Sequence, residues 1–221
     1  MGMRPILFSA PMVRAILEGR KTQTRRVVKG WIAGRPEFGF TAFTPPGHIS
    51  MRGFASDGAY GEWFTKLPWA SGDRLWVKEQ WQTAASLDAL NARQIADKCD
   101  EAGWEKPWAP MRYADGSTVN DHESWGEWGR KRQSFFMPRW ASRITLEVTG
   151  VRIERLQDIA SADAWAEGVR CDCTSPVPSC AGNRDAYALL WDRINGDGAW
   201  AGNPWVWCVE FKHVAQEVGA R

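Results

Sequence analysis

The sequence predicts an α+β fold: a small antiparallel or mixed β-barrel, or a strongly curved sheet, with two or three flanking helices. Three observations support this prediction. Short segments that alternate apolar and polar residues recur along the chain, helical spacing appears between them, and two long stretches rich in Gly, Pro and Trp have no period. These stretches, at about 30–72 and 82–133, are interpreted as loop-rich insertions into a single domain of 221 residues.

The composition excludes several classes of protein. No apolar run is long enough to span a membrane and no signal peptide is recognisable, so we expect a soluble, cytoplasmic protein. The net charge of +2 does not by itself indicate nucleic acid. The 15 tryptophans are expected mainly to fill cores and support loops, with a minority available for stacking on bases. No cofactor is expected, and the oligomeric state is left open.

Two strands and a helix are predicted at the start of the chain. An apolar run at 6–8 predicts a strand, and Ser9 caps a helix whose apolar residues at 12–17 share one face. A second strand is predicted at 27–28. The polar stretch between them, 19–26, therefore falls on a turn, where a hydroxyl and an amine can be aimed at a common point.

The other core elements follow the first insertion. Residues 74–79 alternate as a strand, and residues 143–148 and 151–156 alternate around a short turn, which predicts an antiparallel hairpin. Three more elements are predicted: a short helix capped by Ser161 and reaching Glu167, a helix capped by Asn183, and a strand over 204–211. Irregular loops with a hairpin are predicted in the first insertion. In the second we predict a helix over 87–99 and a solvated basic run at 129–132.

Five cysteines in a chain expected to be cytosolic argue against a disulfide framework. Three of them lie in a Pro- and Ser-rich loop at 170–182: Cys171, Cys173 and Cys180. Their C-x-C-x6-C spacing lacks the paired knuckles typical of zinc sites. A fourth ligand would have to come from elsewhere in the fold, and the candidates are Asp172, Cys208 and His213. We therefore predict an exposed, reduced loop rather than a metal site.

The polar stretch 19–26, with the sequence GRKTQTRR, resembles the N-terminal signature of ASCH domains, which belong to the PUA-like superfamily. Three further stretches fit the family's order: 72–77, 143–168 and 205–211. The resemblance covers the core and spares both insertions and the cysteine loop. The long, tryptophan-rich form is similar to versions common in phages and prophages. The resemblance implies a PUA-like β-barrel with a cleft beside the first helix, and RNA or nucleoside ligands.

The resemblance also implies an activity. Small ASCH proteins hydrolyse the amide of N4-acetylcytidine, and a related member is reported as a ribonuclease. By motif, the catalytic lysine and threonine fall on Lys21 and Thr24, the glutamate on Glu167 and an arginine on Arg26. In such a site a threonine hydroxyl needs a neighbouring base, and a lysine with a lowered pKa can supply it. A carboxylate can shuttle the proton, and an arginine can hold an oxyanion, a base carbonyl or a phosphate.

Two other functions remain open from the residues. A binding module without chemistry would use basic and aromatic side chains to hold single-stranded RNA or a modified base, and a ribonuclease would use the same basic cleft. The candidate contacts are Arg20, Arg26, Trp76, Arg139 and Trp140, together with the basic run at 130–132. Each predicted catalytic residue also has a structural alternative, namely a locally bonded hydroxyl, a solvated lysine at a helix end, or a surface ion pair.

Overall fold

The chain divides into two compact units. The computed structural model describes residues 3–28, 39–41, 48–54, 60–66, 68–103, 109–121, 125–174 and 176–214. For 39–41, 48–54 and 60–66 only the backbone is described. The first unit comprises Met1–Gly19, Arg74–Glu147 and His213–Arg221, and the second comprises Arg20–Asp73 and Val148–Lys212.

The described residues form strands and helices throughout the chain. The strands are β1 (Arg4–Leu7), β2 (Gln23–Val27), β3 (Gly39–Thr41), β4 (His48–Phe54), β5 (Tyr60–Lys66), β6 (Arg74–Lys78), β7 (Trp81–Gln82), β8 (Met111–Tyr113), β9 (Thr118–Val119), β10 (Thr145–Arg155) and β11 (Trp205–Val214). The α-helices are α1 (Ala10–Leu17), α2 (Ala92–Glu101), α3 (Ser161–Ala166) and α4 (Gly182–Asn195).

The first unit is built on strand β6. Strand β1 pairs with it in parallel, with Arg4 opposite Leu75, and the start of β10 pairs with it antiparallel, with Thr145 opposite Trp76. Strands β7, β8 and β9 form a separate small antiparallel sheet. The core between α2 and this sheet includes Trp81 and Ile95, both almost fully buried.

The second unit holds the polar stretch on an antiparallel pair. Strand β2 pairs with β11, with Gln23 opposite Glu210 and Val27 opposite Val206. A core of apolar side chains packs α3 and α4 together: Leu156, Ile159, Ala164, Tyr187, Trp191 and Val206. Strands β3, β4 and β5 form an antiparallel sheet, so the hairpin predicted in the first insertion is present, while 29–38, 42–47, 55–59 and 67 lie outside the described residues.

The α+β class predicted from the sequence is confirmed. The five-stranded sheet is mixed and has the order β1-β6-β10-β11-β2, with β1 and β2 at its ends. Among the described strands no pairing joins those two ends, so this sheet is open. Helix α2 lies in the second insertion as predicted, and Asn91 caps it through a capping box with Gln94. In the described part of the chain, no helix combines the length and apolarity needed to cross a bilayer.

The hairpin predicted around Thr149 is wrong. Residues 145–155 form one continuous strand, β10, because its hydrogen-bonding partners are distant in sequence: β6 at its start and β11 beyond. Gly150 does not turn the chain. A Cβ at this position would lie 2.9 Å from Glu210 Oε2, so the glycine leaves room for that carboxylate on the neighbouring strand.

Three other boundaries differ from the prediction. Strand β2 begins at Gln23, four residues earlier than predicted, which moves Thr24 from a turn into a buried strand. Ser161 is the first residue of α3 rather than its cap. Helix α4 begins at Gly182, and Asn183 is fully buried inside its first turn, where its side chain binds the backbone of the preceding loop instead of capping the helix.

Truncating a core side chain of β10 tests this fold. Leu146 is fully buried, and Leu146→Ala is expected to lower the free energy of unfolding by about 2–5 kcal/mol because it leaves a cavity. The matched control is Leu189→Ala on α4, where the side chain is 71% exposed and a change within about 0.5 kcal/mol is expected. Urea unfolding followed by circular dichroism measures both. Equal effects of the two substitutions would contradict the burial of β10.

Candidate functional site

Lys21 and Glu167 form a buried ion pair in the second unit. Lys21 Nζ lies 2.7 Å from Glu167 Oε2, and the two side chains are 0% and 4% exposed. The same amine also donates to the backbone carbonyl of Glu167 at 2.9 Å. The structure therefore brings together two of the three residues that are predicted to be catalytic. It excludes the structural alternative for Lys21, a solvated lysine at a helix end.

The segment around Lys21 also closes the C-terminal end of α3. Thr22 N–H donates to the carbonyl of Ala166 at 2.8 Å, and Arg20 Nη1 lies 3.4 Å from the carbonyl of Gly168. The last carbonyls of a helix have no partner within it and carry partial negative charge, so two cations and an N–H group suit this position. The arrangement fixes where the carboxylate of Glu167 points.

Arg25 is the second cation on Glu167. Its guanidinium is fully buried and contacts three carboxylates. Nη1 lies 3.1 Å from Glu167 Oε1, Nε lies 2.7 Å from Glu154 Oε1, and Nη2 lies 3.4 Å from Asp163 Oδ2. A planar guanidinium with five donors is suited to binding several carboxylates at once. Arg25 thus joins β2 to β10 and to α3.

Arg152 extends the same network towards solvent. Its guanidinium binds Glu154 Oε2 at 2.8 Å and Asp163 Oδ1 at 3.2 Å, and it also binds Glu210. Three cations, Lys21, Arg25 and Arg152, are therefore interleaved with four carboxylates. Asp163 receives a further hydrogen bond of 3.1 Å from Gln23 Nε2. Buried charges are tolerated when they are paired and hydrogen-bonded, and the three that are almost fully buried here, Lys21, Arg25 and Glu167, each have a hydrogen-bonded partner of opposite charge.

Thr24 and Arg26 are the other two predicted functional residues on β2, and alternation along the strand places them on the face opposite Arg25. Thr24 is 1% exposed, and its hydroxyl oxygen accepts a hydrogen bond of 2.9 Å from Arg26 Nη1. The two residues are two apart on β2, so they share a face of the strand. A cationic donor on this oxygen would favour the ionised form of the hydroxyl over the neutral one.

Burial changes the proton affinities of these groups. It lowers the pKa of Lys21 below 10.5, since desolvation and the charges of Arg25 and Arg26 together outweigh the attraction of Glu167. Burial also lowers the pKa of Arg26. For Arg25 burial acts in the same direction, but the ionisable groups around it, Cys208 and the carboxylates of Glu167 and Glu154, raise its pKa above the ordinary value. Of these three cations, Lys21 is the one suited to exchanging a proton.

Tyr187 completes the surroundings of Glu167. Its hydroxyl lies 3.5 Å from Glu167 Oε1, and its ring lies 6.0 Å from the Arg25 guanidinium carbon. Burial and the charge of Glu167 raise the pKa of Tyr187 well above 10.0, so the phenol is neutral. Glu167 is thus contacted by an amine, a guanidinium and a phenol.

The remaining residues that are predicted to contact a nucleic acid are Trp76, Arg139 and Trp140, and all three lie in the first unit. Trp76 is 9% exposed, and its ring already lies within 5.2 Å of Lys78 Nζ and 5.9 Å of the Arg139 guanidinium carbon. Trp140 is half-buried and packs edge-on against Trp81, with ring centroids 6.1 Å apart. Only Arg139 is exposed. Trp76 and Trp140 therefore serve the packing of this unit.

A pocket of about 540 Å³ in the first unit contains the predicted basic run. Its walls include Trp81 and the exposed Phe136, with four basic residues around them: Arg93, Arg130, Lys131 and Arg132. The guanidinium of Arg132 is committed to the carbonyls of Leu87 and Leu90 at 3.0 Å, whereas Arg130 and Lys131 are exposed. The solvated face predicted at 129–132 is thus part of a concave surface.

The partners that organise the site are not predicted from the sequence. Arg25 lies in the polar stretch 19–26 but receives no role of its own there, and no part in the site is predicted for Glu154, Asp163 or Tyr187. One signal was available: Arg152 and Glu154 place two opposite charges on the face of the strand whose other side chains, Leu146 and Val148, are apolar. Such a face is expected to meet further charges, although the spacing does not say which.

Comparison of the chain with family models, with curated proteins and with solved structures finds no match in any of the three.

Removing Arg25 tests the importance of the network. Arg25→Met is expected to lower the free energy of unfolding by about 3–5 kcal/mol, because Glu154 and Glu167 then lose a buried counter-charge. The matched control is Arg193→Met on α4, where the side chain is exposed and a change below about 1 kcal/mol is expected. Guanidinium unfolding at constant pH measures both. A cost for Arg25→Met no larger than that of the control would show that the network contributes little.

Proposed function

We propose that this chain is an ASCH-type protein with a PUA-like core, and that it hydrolyses the amide of an N4-acylated cytidine or a related modified nucleoside. The observation that carries the proposal is the buried contact between Lys21 and Glu167, together with the buried Thr24 hydroxyl that accepts a hydrogen bond from Arg26. These are the four positions onto which the ASCH resemblance places its functional residues. A cytoplasmic location follows from the proposed nucleoside or RNA substrate.

In the proposed reaction the Thr24 hydroxyl attacks the acyl carbonyl carbon. Its proton passes to the neutral amine of Lys21, whose lowered pKa makes that form accessible. Arg26 stabilises the negative oxygen of the tetrahedral intermediate. When the carbon–nitrogen bond breaks, Lys21 returns the proton to the exocyclic nitrogen and the nucleoside leaves. Water then hydrolyses the threonine ester, so the overall reaction is amide plus water to amine plus carboxylic acid.

Glu167 has a positioning role in this scheme. Its Oε2 accepts from Lys21 and its Oε1 accepts from Arg25, so the carboxylate orients the lysine amine and offsets its charge. Tyr187 and Arg25 fix the carboxylate in turn. Arg20, bound to the end of α3, lies beside this site and is positioned to meet a phosphate of a longer substrate.

Substitution of the three central residues tests the proposal with N4-acetylcytidine. Lys21→Met, Thr24→Val and Glu167→Gln are each expected to reduce turnover at least about 100-fold, since the first two remove the base and the nucleophile and the third removes the charge that positions the base. Thr24→Ser keeps a hydroxyl and is expected to retain activity. The matched control is Lys98→Met, which removes an exposed lysine of α2. Chromatographic detection of cytidine measures all five variants.

The pH profile gives a second readout of the same prediction. The neutral amine of Lys21 is the base, so turnover is expected to rise with pH through a pKa below 10.5 and then level off. Turnover that persists in folded Lys21→Met would refute the proposed role of Lys21. A rate that falls as pH rises over this range would do the same.

A second candidate function, binding of single-stranded RNA without chemistry, is favoured by the basic pocket of the first unit. Exposed Arg130 and Lys131 offer phosphate contacts, and exposed Phe136 offers a ring for stacking beside them. Phe136 meets Phe135 edge-on at 5.3 Å, so its orientation is defined. Concave basic surfaces with aromatic rings hold single strands with little sequence preference.

Salt dependence tests this second candidate. Affinity for a fluorescent single-stranded oligonucleotide is expected to fall as salt rises, and Lys131→Ala is expected to reduce the slope of log Kd against log salt by about 0.7, because one phosphate contact is lost. Phe136→Ala is expected to weaken binding without changing the slope. Lys98→Ala serves as the matched control. Affinity that does not respond to salt would exclude phosphate binding in this pocket.

A further inference from the structure

Three cysteine side chains converge in the second unit, between α3 and α4. Cys171 Sγ lies 2.7 Å from Cys173 Sγ and 3.0 Å from Cys180 Sγ, and the third separation is 3.6 Å. All three are free thiols. Cys171 and Cys180 are half-buried and Cys173 is exposed. The spacing along the chain gives little indication of this cluster, because only the fold of the loop brings Cys180 back to the other two.

The loop backbone is built to hold this convergence. Asn183, which is fully buried, accepts a hydrogen bond of 3.0 Å from Cys171 N–H on its side-chain oxygen. Its side-chain nitrogen donates to the carbonyl of Val177 at 2.8 Å, and its backbone N–H donates to the carbonyl of Cys180 at 3.0 Å. One buried amide therefore ties together both arms of the loop. The positions of the thiols follow from the backbone rather than from flexible side chains alone.

Gly182 is required by the same close packing. A Cβ at this position would lie 2.9 Å from Cys171 Cβ and within 3.6 and 3.8 Å of the sulfurs of Cys171 and Cys180. Real Cβ atoms do not approach another carbon this closely without a shift of one of them. At the first turn of a helix, alanine would otherwise be preferred over glycine. The absence of a side chain at Gly182 therefore allows the cysteine loop to pack closely against the start of α4, and it does not stabilise the helix itself.

We propose that Cys171, Cys173 and Cys180 bind one Zn²⁺ as thiolates, with a solvent molecule in the fourth position. Zinc with cysteine ligands has Zn–S distances of about 2.3 Å and tetrahedral angles, which separates the sulfurs by about 3.8 Å. The sulfurs need to move apart by about 1 Å or less to reach this geometry. Binding converts three thiols to thiolates and releases three protons, and the cation offsets charges that would otherwise repel at these distances.

A zinc ion bound to these three cysteines would stabilise the loop between α3 and α4. Cys171 follows Glu167 by four residues, and Cys180 lies two residues before the start of α4, the helix that carries Tyr187. A metal ion that joins Cys171 to Cys180 would fix the segment after α3 against the start of α4. The first of these elements carries Glu167, and the second carries Tyr187, whose hydroxyl lies 3.5 Å from Glu167 Oε1. The proposal does not depend on the activity proposed above, because metal content and stability report on it without any substrate.

Metal analysis of the full chain, expressed without a metal-binding tag and purified without chelators, tests this proposal. About one zinc per chain is expected by mass spectrometry, and removal of the metal is expected to lower Tm by several degrees. Cobalt added to the metal-free protein is expected to give the visible bands of a tetrahedral site and a thiolate-to-cobalt charge-transfer band in the near ultraviolet.

Four variants locate the site. Cys171→Ser and Cys180→Ser are expected to lose the zinc and the charge-transfer band, and Ser179→Ala, an exposed neighbour, is expected to retain both. Gly182→Ala keeps all three thiols and is expected to weaken cobalt binding at least about tenfold, because the added methyl group displaces Cys171. Because cobalt binding is measured on each purified variant that is folded by circular dichroism, a loss of binding is not confused with unfolding.

Several results would overturn the proposal. The absence of both zinc and a cobalt charge-transfer band in the native chain is one of them. Retention of metal in folded Cys171→Ser and Cys180→Ser would place the ion elsewhere. Alkylation under non-reducing conditions that leaves two of these cysteines joined by a disulfide would identify a redox pair instead. Unchanged cobalt affinity in Gly182→Ala would refute the packing argument.

Discussion

The second unit depends on one buried guanidinium. Moving the charge of Arg25 out of water has a large desolvation cost, and only close, well-directed carboxylates offset it. Those carboxylates come from β10 and from the short helix α3, while Arg25 itself lies on β2. No single one of these elements supplies all the carboxylates that the guanidinium contacts. The ion network therefore couples the positions of β2, β10 and α3 to one another when this unit folds. The apolar core of this unit supplies the hydrophobic stabilisation, and the ion network specifies how β2, β10 and α3 are placed against one another.

The candidate site shares Glu167 with this network. One oxygen of the carboxylate faces the lysine amine and the other faces Arg25, so the group that would orient a base is also a group that compensates a buried charge. Stability and any chemistry at Lys21 are therefore coupled through a single side chain. The capping of α3 by the segment 20–22 strengthens this coupling, because the same backbone that places Lys21 also ends the helix that presents Glu167.

Helices and strands whose apolar residues recur with a clear helical or strand spacing are predictable from the sequence. Elements whose conformation depends on pairing with a strand that is distant in sequence are not. Helix α1 and strand β6 lie where the apolar spacing places them, since each buries one face regardless of what covers it. Gly150 shows the opposite case: its turn signal is local, but strand pairing with β11 and the approach of Glu210 decide its conformation. The resemblance to ASCH domains predicts Lys21 and Glu167 at a common site, whereas the contact of Arg25 with Glu154 and the convergence of three thiols depend on tertiary structure that the spacing of residues does not predict.

The burial of Lys21 and Thr24 has a consequence for access. Both side chains are almost completely shielded from solvent in the folded chain, so a substrate or an amine-acylating reagent reaches them only when the structure around them opens locally. The rate at which such a reagent labels Lys21 therefore reports the population of the open form. The rate of this opening also sets an upper limit on how fast any ligand can reach Lys21 or Thr24, however reactive the amine is.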